Sequence, residues 1–188
     1  MADTILTIQQ IENLFQSLTT SMLGYATTDS HNNLINQDKV RVAWPTGGAP
    51  GWKIDDDIAF IKVTPSNDPI VQQRDIAYQN KNSDYAIRSM SYTRAWSVQW
   101  TLYGPNSYDR ADLIRHALFL LDNKELLESN NLALVPVISA PTRAPELFDG
   151  RWWERADLTA VFYEAVTRNS DIPYIKEIES VTIVTEND

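Results

Sequence analysis

The segment from Tyr92 to Tyr103 alternates apolar and polar side chains along its length, and this pattern constrains the fold more than any other. Such alternation is typical of a β-strand with one buried face and one exposed face. The two predicted faces are Tyr92, Trp96, Val98, Trp100 and Leu102 on one side, and Thr93, Ser97, Gln99 and Thr101 on the other. The chain is therefore expected to be built on a sheet that packs one side against a core.

A second long strand is predicted from Trp152 to Val166, with apolar side chains on both faces. Because both faces of such a strand need cover, this pattern favours a central position in the sheet. Period-two patterns also predict four shorter strands, over residues 40–44, 58–64, 132–138 and 175–185. Helical periodicity predicts three helices, over residues 4–23, 107–122 and 124–129. The predicted buried face of the second helix comprises Leu113, Ile114, Ala117, Leu118 and Leu121. Thr7 and Gln10 form a capping box at the start of the first helix, and Gly24 marks its end.

The order of these elements indicates an α+β fold, an antiparallel or mixed β-sheet with helices packed on one face. Residues 66–91 are polar and form a long insertion, predicted as an inserted loop or a protruding hairpin. A loop of that length is typically functional or ordered by a partner. Residues 139–150 form a Pro-containing connector. We find no internal repeat and no domain boundary, so a single domain is expected over residues 1–188.

The composition excludes several classes of chemistry. The chain has no cysteine, which excludes disulfides, thiolate metal sites and a cysteine nucleophile. Its net charge of −9 disfavours binding to nucleic acid phosphates through the overall field. Residues 1–4 show no signal peptide, and no apolar stretch approaches the roughly 20 residues of a membrane span. We therefore expect a soluble protein made in the cytoplasm, with no membrane partner.

Candidate catalytic groups are few, and motifs for metalloproteases, hydrolases and nucleotide binding are missing. His31 lies in an Asn-rich turn. His116 lies in the middle of a helix beside apolar neighbours, which favours a helix-surface or core residue over a catalytic base. The run Asp55 to Asp57 sends adjacent carboxylates to opposite sides of an extended chain, which favours a solvated turn over a metal site. Glu154 and Asp157 also face opposite sides of their strand. The sequence predicts no enzyme, no cofactor and no metal.

Six tryptophans are more than a chain of this length usually carries. Trp96 and Trp100 share the apolar strand face and are predicted to lie in the core. The remaining four allow two interpretations, a partner interface or a platform that stacks on sugars, and we favour the interface because tryptophan is enriched there. The predicted subunit or partner interface comprises Trp44, Trp52, Tyr78, Tyr85, Trp152, Trp153 and Arg155.

Three stretches resemble the tail (neck) terminator proteins of long-tailed bacteriophages. Residues 100–111, Trp-Thr-Leu-Tyr-Gly-Pro-Asn-Ser-Tyr-Asp-Arg-Ala, are similar to the family's central strand, turn and helix. Residues 153–158, Trp-Glu-Arg-Ala-Asp-Leu, followed by Phe162-Tyr163, resemble its second long strand. Residues 178–183, Ile-Glu-Ser-Val-Thr-Ile, resemble its final strand. The predicted N-terminal helix lies where the family has one.

The resemblance implies a structural virion protein, a subunit of a hexameric ring that caps the head-proximal end of the tail tube, ends tube growth and joins tail to neck. The implied partners are further copies of the chain, the tail tube protein, a neck or stopper protein and, in a contractile phage, the sheath. The protein would assemble in the host cytoplasm and reside in the virion tail or neck. DNA would only pass through the lumen.

An acidic subunit suits a lumen that does not hold DNA, because like charges repel. The predicted lumen-facing acids are Asp55, Asp56, Asp57, Asp68, Asp75 and Asp84. Two alternatives remain open at this stage. One is another neck or adaptor protein, such as a stopper or tail-completion protein. The other, from a different class, is a tryptophan-rich carbohydrate-binding module.

Overall fold

A computed structural model of the chain describes residues 3–25, 27–28, 34–35, 37–43 and 51–175. It confirms the α+β class, with helices on one face of an open mixed sheet. The helices are α1 (Ile8–Met22), α2 (Ser107–Ala117) and α3 (Leu121–Ser129). The strands are β1 (Thr27–Thr28), β2 (Leu34–Ile35), β3 (Val40–Val42), β4 (Ile58–Pro65), β5 (Asp75–Asn80), β6 (Tyr85–Tyr103), β7 (Leu132–Leu134), β8 (Thr142–Arg143), β9 (Glu146–Phe148), β10 (Arg151–Trp153) and β11 (Arg155–Pro173). Two short 3₁₀ turns span Gln37–Lys39 and Pro69–Gln72.

The main sheet runs in the order β3-β4-β6-β11-β7, and β3 pairs with β4 in parallel while the other pairs are antiparallel. β6 and β11 pair along their whole length, from Tyr103 opposite Arg155 to Tyr85 opposite Pro173. On its other side β11 pairs with β7 and β8, which confirms its predicted central position. Each of these two strands has 19 residues, which corresponds to roughly 60 Å of extended chain.

The core lies between the helices and the face of the sheet that carries Val98, Trp100 and Leu102. Phe15 of α1 packs at 4.6 Å from Phe162 and 6.4 Å from Trp100, measured between ring centroids. Both Thr7 and Gln10 complete the predicted capping box, which fixes where α1 begins. Gly24 ends α1 in the left-handed region, as its position predicts.

The strand boundaries differ from prediction in the polar insertion. β6 begins at Tyr85 rather than Tyr92, and its first part pairs with β5 to form a hairpin. The insertion is therefore a hairpin for much of its length. Periodicity did not show this, because β5 is exposed on both faces and lacks the apolar alternation that marks a half-buried strand. The predicted strand from Trp152 is likewise divided between β10 and β11.

Three other expectations are corrected. The helix predicted to run to Asp122 ends at Ala117, and the turn that follows leaves Leu121 exposed at the start of α3. Leu113, expected on the buried side, is 40 % exposed because the buried stripe of α2 passes through Ala111, Ile114 and Ala117. The strand expected over 132–138 ends at Leu134, shortly before Pro136, which has no N–H to donate. Most of the final predicted strand lies outside the described residues.

Gly104 closes the turn after β6 and has to be glycine. Its φ is +113°, and a Cβ there would lie 2.6 Å from both the Asp56 carbonyl oxygen and Asp57 Oδ1. Asp57 in turn accepts hydrogen bonds from Asn106 N and Nδ2, at 3.1 and 2.9 Å, and so holds the approach to α2. In the described part of the chain, no helix has the length and apolar character needed to cross a membrane.

Candidate interaction surface

Aromatic side chains cover one end of the sheet on the face opposite the helices. Phe60 of β4 and Tyr103 of β6 point to this face, since the alternate residues of both strands enter the core. Their ring centroids lie 6.1 Å apart. Trp52, from the segment before β4, packs over them at 5.0 Å from Phe60 and 5.6 Å from Tyr103.

The β9–β10 hairpin completes this aromatic surface. Trp153 meets Trp52 edge to face at 6.1 Å and Phe148 at 6.2 Å. We call Trp52, Phe60, Tyr103, Phe148 and Trp153 the aromatic surface. Four of these rings, all but Phe60, line an open pocket of about 380 Å³ together with Gly51 and Glu146. Trp152 lies beside it on the opposite side of β10, with 67 % of the side chain exposed.

A polar network ties the hairpin to the sheet. Arg155 donates two hydrogen bonds to Asp157, at 3.0 and 2.9 Å, and also pairs with Glu146 of β9. The Tyr103 hydroxyl donates to Glu146 Oε2 at 2.9 Å. Burial, together with this bond to a carboxylate, raises the pKa of Tyr103 to about 12. The hydrogen bonds to Asp157 raise the pKa of Arg155, so both groups keep their protons at neutral pH.

Two indole N–H groups of the aromatic surface are buried without a hydrogen bond. Trp52 Nε1 and Trp153 Nε1 have no acceptor among the described residues. A buried donor left unpaired costs about 1–3 kcal/mol, so native proteins rarely keep one without a reason. Arg41 adds a cation, its Cζ lying 5.8 Å from the Trp52 ring centroid and 6.0 Å from that of Phe60. Aromatic and arginine side chains are enriched at protein interfaces, which makes this surface a candidate interaction site.

The structure thus places three of the predicted interface residues together: Trp52, Trp153 and Arg155, with Trp152 adjacent. Trp44 lies outside the described residues. Sequence reasoning missed Phe60, Tyr103, Glu146 and Phe148. Alternation along β6 places Tyr103 on the face opposite Leu102, and this was the signal from which Tyr103 could have been predicted as part of the surface. The position of the β9–β10 hairpin over Tyr103 had no signal in the sequence, because it depends on a contact between distant segments.

Tyr78 and Tyr85 lie at the other end of the sheet. There β5, the first part of β6 and the last part of β11 form a three-stranded extension, residues 75–80, 85–91 and 167–173, which we call the arm. Tyr78 is 65 % exposed and Tyr85 is 43 % exposed. The predicted interface residues therefore fall into two groups at opposite ends of β6.

The six predicted lumen acids are also divided between the two ends. Asp55, Asp56 and Asp57 precede β4 at the Tyr103 end, where Asp56 accepts from Lys53 N and Asp57 from Asn106. The other three lie on the arm or near it. Asp75 is exposed on β5, and Asp84 lies in the hairpin turn next to Tyr85. Asp68 caps a 3₁₀ turn and accepts from the Tyr163 hydroxyl at 2.7 Å, and this hydrogen bond lowers its pKa.

The described residues hold no cluster of three or more His, Asp or Glu side chains that could bind a metal ion. His116 is exposed on α2, and His31 lies outside the described residues. Glu154 forms an ion pair with Arg143 at 2.9 Å, as expected of a sheet-surface residue. Asp157 is held by Arg155.

The family model for the phage neck terminator protein matches residues 9–188, and this match identifies the chain as a structural protein of the bacteriophage tail or neck. The chain belongs to this family. The match extends over nearly the whole chain and confirms the resemblance seen in the two long strands. Its place is in the virion, at the tail or neck. No curated protein matches the chain.

Proposed function

We propose that the protein is a subunit of a hexameric ring that caps the head-proximal end of the tail tube, ends tube growth and joins the tail to the neck. The observation that carries the proposal is the aromatic surface in a chain of the neck terminator family. Binding energy at protein interfaces concentrates in a few aromatic and arginine side chains near well-packed centres. Trp152, the aromatic surface and Arg155 provide such a group at one end of the sheet.

In this proposal the aromatic surface contacts the tail tube protein. The opposite side of the ring would contact the neck or stopper protein. In a contractile phage the ring would also hold the sheath.

The test is the growth of purified tail tube protein in the presence of the chain, with tube lengths measured by electron microscopy. The wild type is expected to shorten the tubes at substoichiometric concentration and to remain at their ends as a ring. Phe148→Ala, at an exposed ring of the aromatic surface, should raise the concentration needed at least about tenfold, because loss of an aromatic hot spot costs about 2 kcal/mol or more. Ile8→Ala, an exposed apolar residue at the start of α1, is the control and should cap normally.

Tube lengths that do not respond to the wild-type protein would refute tube capping. If the protein then bound the neck protein alone, the stopper or adaptor function would replace it. A glycan array distinguishes the third alternative. Because Trp52 and Trp153 pack edge to face against each other, Trp152 is the indole left exposed for stacking on a sugar. A terminator ring should show no preference for any glycan on the array.

We also propose that some of the six predicted acids line the lumen through which DNA passes. Asp55 and Asp75 are the exposed candidates without an ion pair among the described residues. Repulsion between carboxylates and phosphates would keep DNA from adhering to the wall. A cryo-EM map of the ring on the tube tests this, and a basic or neutral lumen would contradict it.

A further inference from the structure

The helices cover only half of the sheet face on which they pack. Over the half with Val98 and Trp100, that face is buried under α1 and α2. Over the arm, the same side of β6 continues through Met90 and Arg88, and these side chains are only partly buried. The arm extends this face by about seven residues of β6, or roughly 20 Å. In a single copy the apolar side chains on this side of the arm therefore lack the helix cover that the rest of the face has.

The uncovered side of the arm is apolar and basic in an acidic protein. Pairing of Ile76 with Met90, and of Tyr78 with Arg88, places these four side chains on one side, and Arg168 lies opposite Met90. We call these five residues the arm face. Ile76 is 47 % exposed and Tyr78 is 65 % exposed. None of the β5, β6 or β11 strand positions on this side of the arm carries an acidic residue, although the chain has a net charge of −9.

Arginines dominate the charge here. Arg74 lies with its Cζ 4.5 Å from the Tyr92 ring centroid, and Arg168 donates to the Tyr92 hydroxyl at 3.0 Å. Arg88 Nε is buried and has no hydrogen-bond acceptor among the described residues. Arg168 also pairs with Asp3 at 3.9 Å, whereas Arg88 forms no ion pair with any described residue. The arm face therefore presents one guanidinium, that of Arg88, without a counter-charge from its own copy. A matching surface should be acidic and apolar.

The α2–α3 corner of the same chain has that character. Phe119, Leu120 and Leu121 are 54 %, 48 % and 64 % exposed at the turn between the two helices. The segment from Ser107 to Ser129 carries five acidic side chains against three basic ones. Asp122 and Glu125, both exposed on α3, form no ion pair with any described residue. We call Leu113, Phe119, Leu120, Leu121 and Asp122 the helix face.

We propose that the arm face of one copy docks on the helix face of the next, so that each interface of the ring joins these two different surfaces. The helix layer of the neighbour then continues the layer that α1 and α2 begin. Such a head-to-tail contact uses two distinct surfaces per subunit and closes into a ring when the rotation between copies allows. This proposal rests on the proposed ring, but its test separates the two.

The experiment uses two full-length variants, Tyr78→Asp on the arm face and Phe119→Asp on the helix face, with Ile8→Asp as a matched exposed control. All three positions are exposed, so circular dichroism should show a native fold in each. Native mass spectrometry should give a ring for the wild type and for Ile8→Asp, and monomers for each of the other two alone. An equimolar mixture of the two defective variants should give a 1:1 dimer and no ring, because only one intact pair of surfaces remains.

The outcomes are distinguishable. Single variants that keep the full ring mass overturn the interface and leave the ring intact. In that case, loss of duplex DNA binding by Arg88→Glu would assign the arm face to DNA instead. A 1:1 dimer from the mixture, with a wild type that forms open filaments, supports the interface and overturns the closed ring. A monomeric wild type and a mixture without dimer overturn both.

Discussion

Glu164 offers the sharpest test of how the described core is held together. Its side chain is 1 % exposed, yet its carboxylate accepts hydrogen bonds from Leu6 N at 2.9 Å and from Trp96 Nε1 at 2.8 Å. Arg94 donates two more, at 2.8 Å from Nε and 2.7 Å from Nη2. Arg94 also donates to the Leu6 carbonyl oxygen. One carboxylate therefore joins the segment before α1 to both long strands.

Replacing Glu164 with alanine removes every one of these acceptors at once. Arg94 would lose its counter-charge, while the buried Trp96 indole and the Leu6 amide would lose their partners. Breaking a buried ion pair from one side costs about 3–5 kcal/mol. The Arg94 side chain is 24 % exposed, so water can solvate part of it. We therefore expect Glu164→Ala to lower the free energy of unfolding by about 3 kcal/mol, the lower end of that range.

The assay is urea unfolding followed by tryptophan fluorescence, with the midpoint shift read at unchanged m. Glu164→Gln keeps the shape but turns one acceptor into a donor, so it should cost less than alanine, about 1.5–3 kcal/mol. Asp171→Ala is the control, since its pair with Lys81 is half-exposed and should contribute less than about 1 kcal/mol. If Glu164→Ala lowered the free energy of unfolding by no more than Asp171→Ala does, the reasoning would be refuted.

Three further predictions concern packing, backbone and ionisation. Phe15→Ala should destabilise the protein by about 3–5 kcal/mol in the same assay, because it empties the space between Trp100 and Phe162. Gly104→Ala should lower stability by more than about 1 kcal/mol through its positive φ and the contact with Asp56, whereas Gly51→Ala, with open space around it, should be nearly neutral. The pKa of Tyr103 is raised from 10.0 to about 12, so the stability it contributes is complete below pH 10 and is lost as the pH rises through 12. Between pH 10 and 12 the urea midpoint should therefore decrease less in Tyr103→Phe than in the wild type. An equal decrease in both proteins would show that Tyr103 is not its cause.

Local patterns in the sequence predicted the parts of the fold that are set by nearest neighbours. The apolar alternation around Trp100 identified the core strand, and Thr7 with Gln10 marked the start of α1. These predictions succeed because strand and helix periodicity place side chains on a face whatever the rest of the chain does. A different pattern identified β11 as central, because it carries apolar residues on both faces and these require cover on both sides.

The tertiary structure decided what depends on contacts between distant segments. The polar arm became strand because β6 and β11 pair over 19 residues, and a backbone ladder needs no apolar alternation in its side chains. Glu164 is buried because Arg94 and Leu6 reach it, 70 and 158 residues away in sequence. Trp52, Tyr103 and Trp153 form one surface only once the β9–β10 hairpin folds over the sheet. Periodicity therefore predicts which side of an element a residue occupies, while the partner on that side is set by the energy of packing the whole chain.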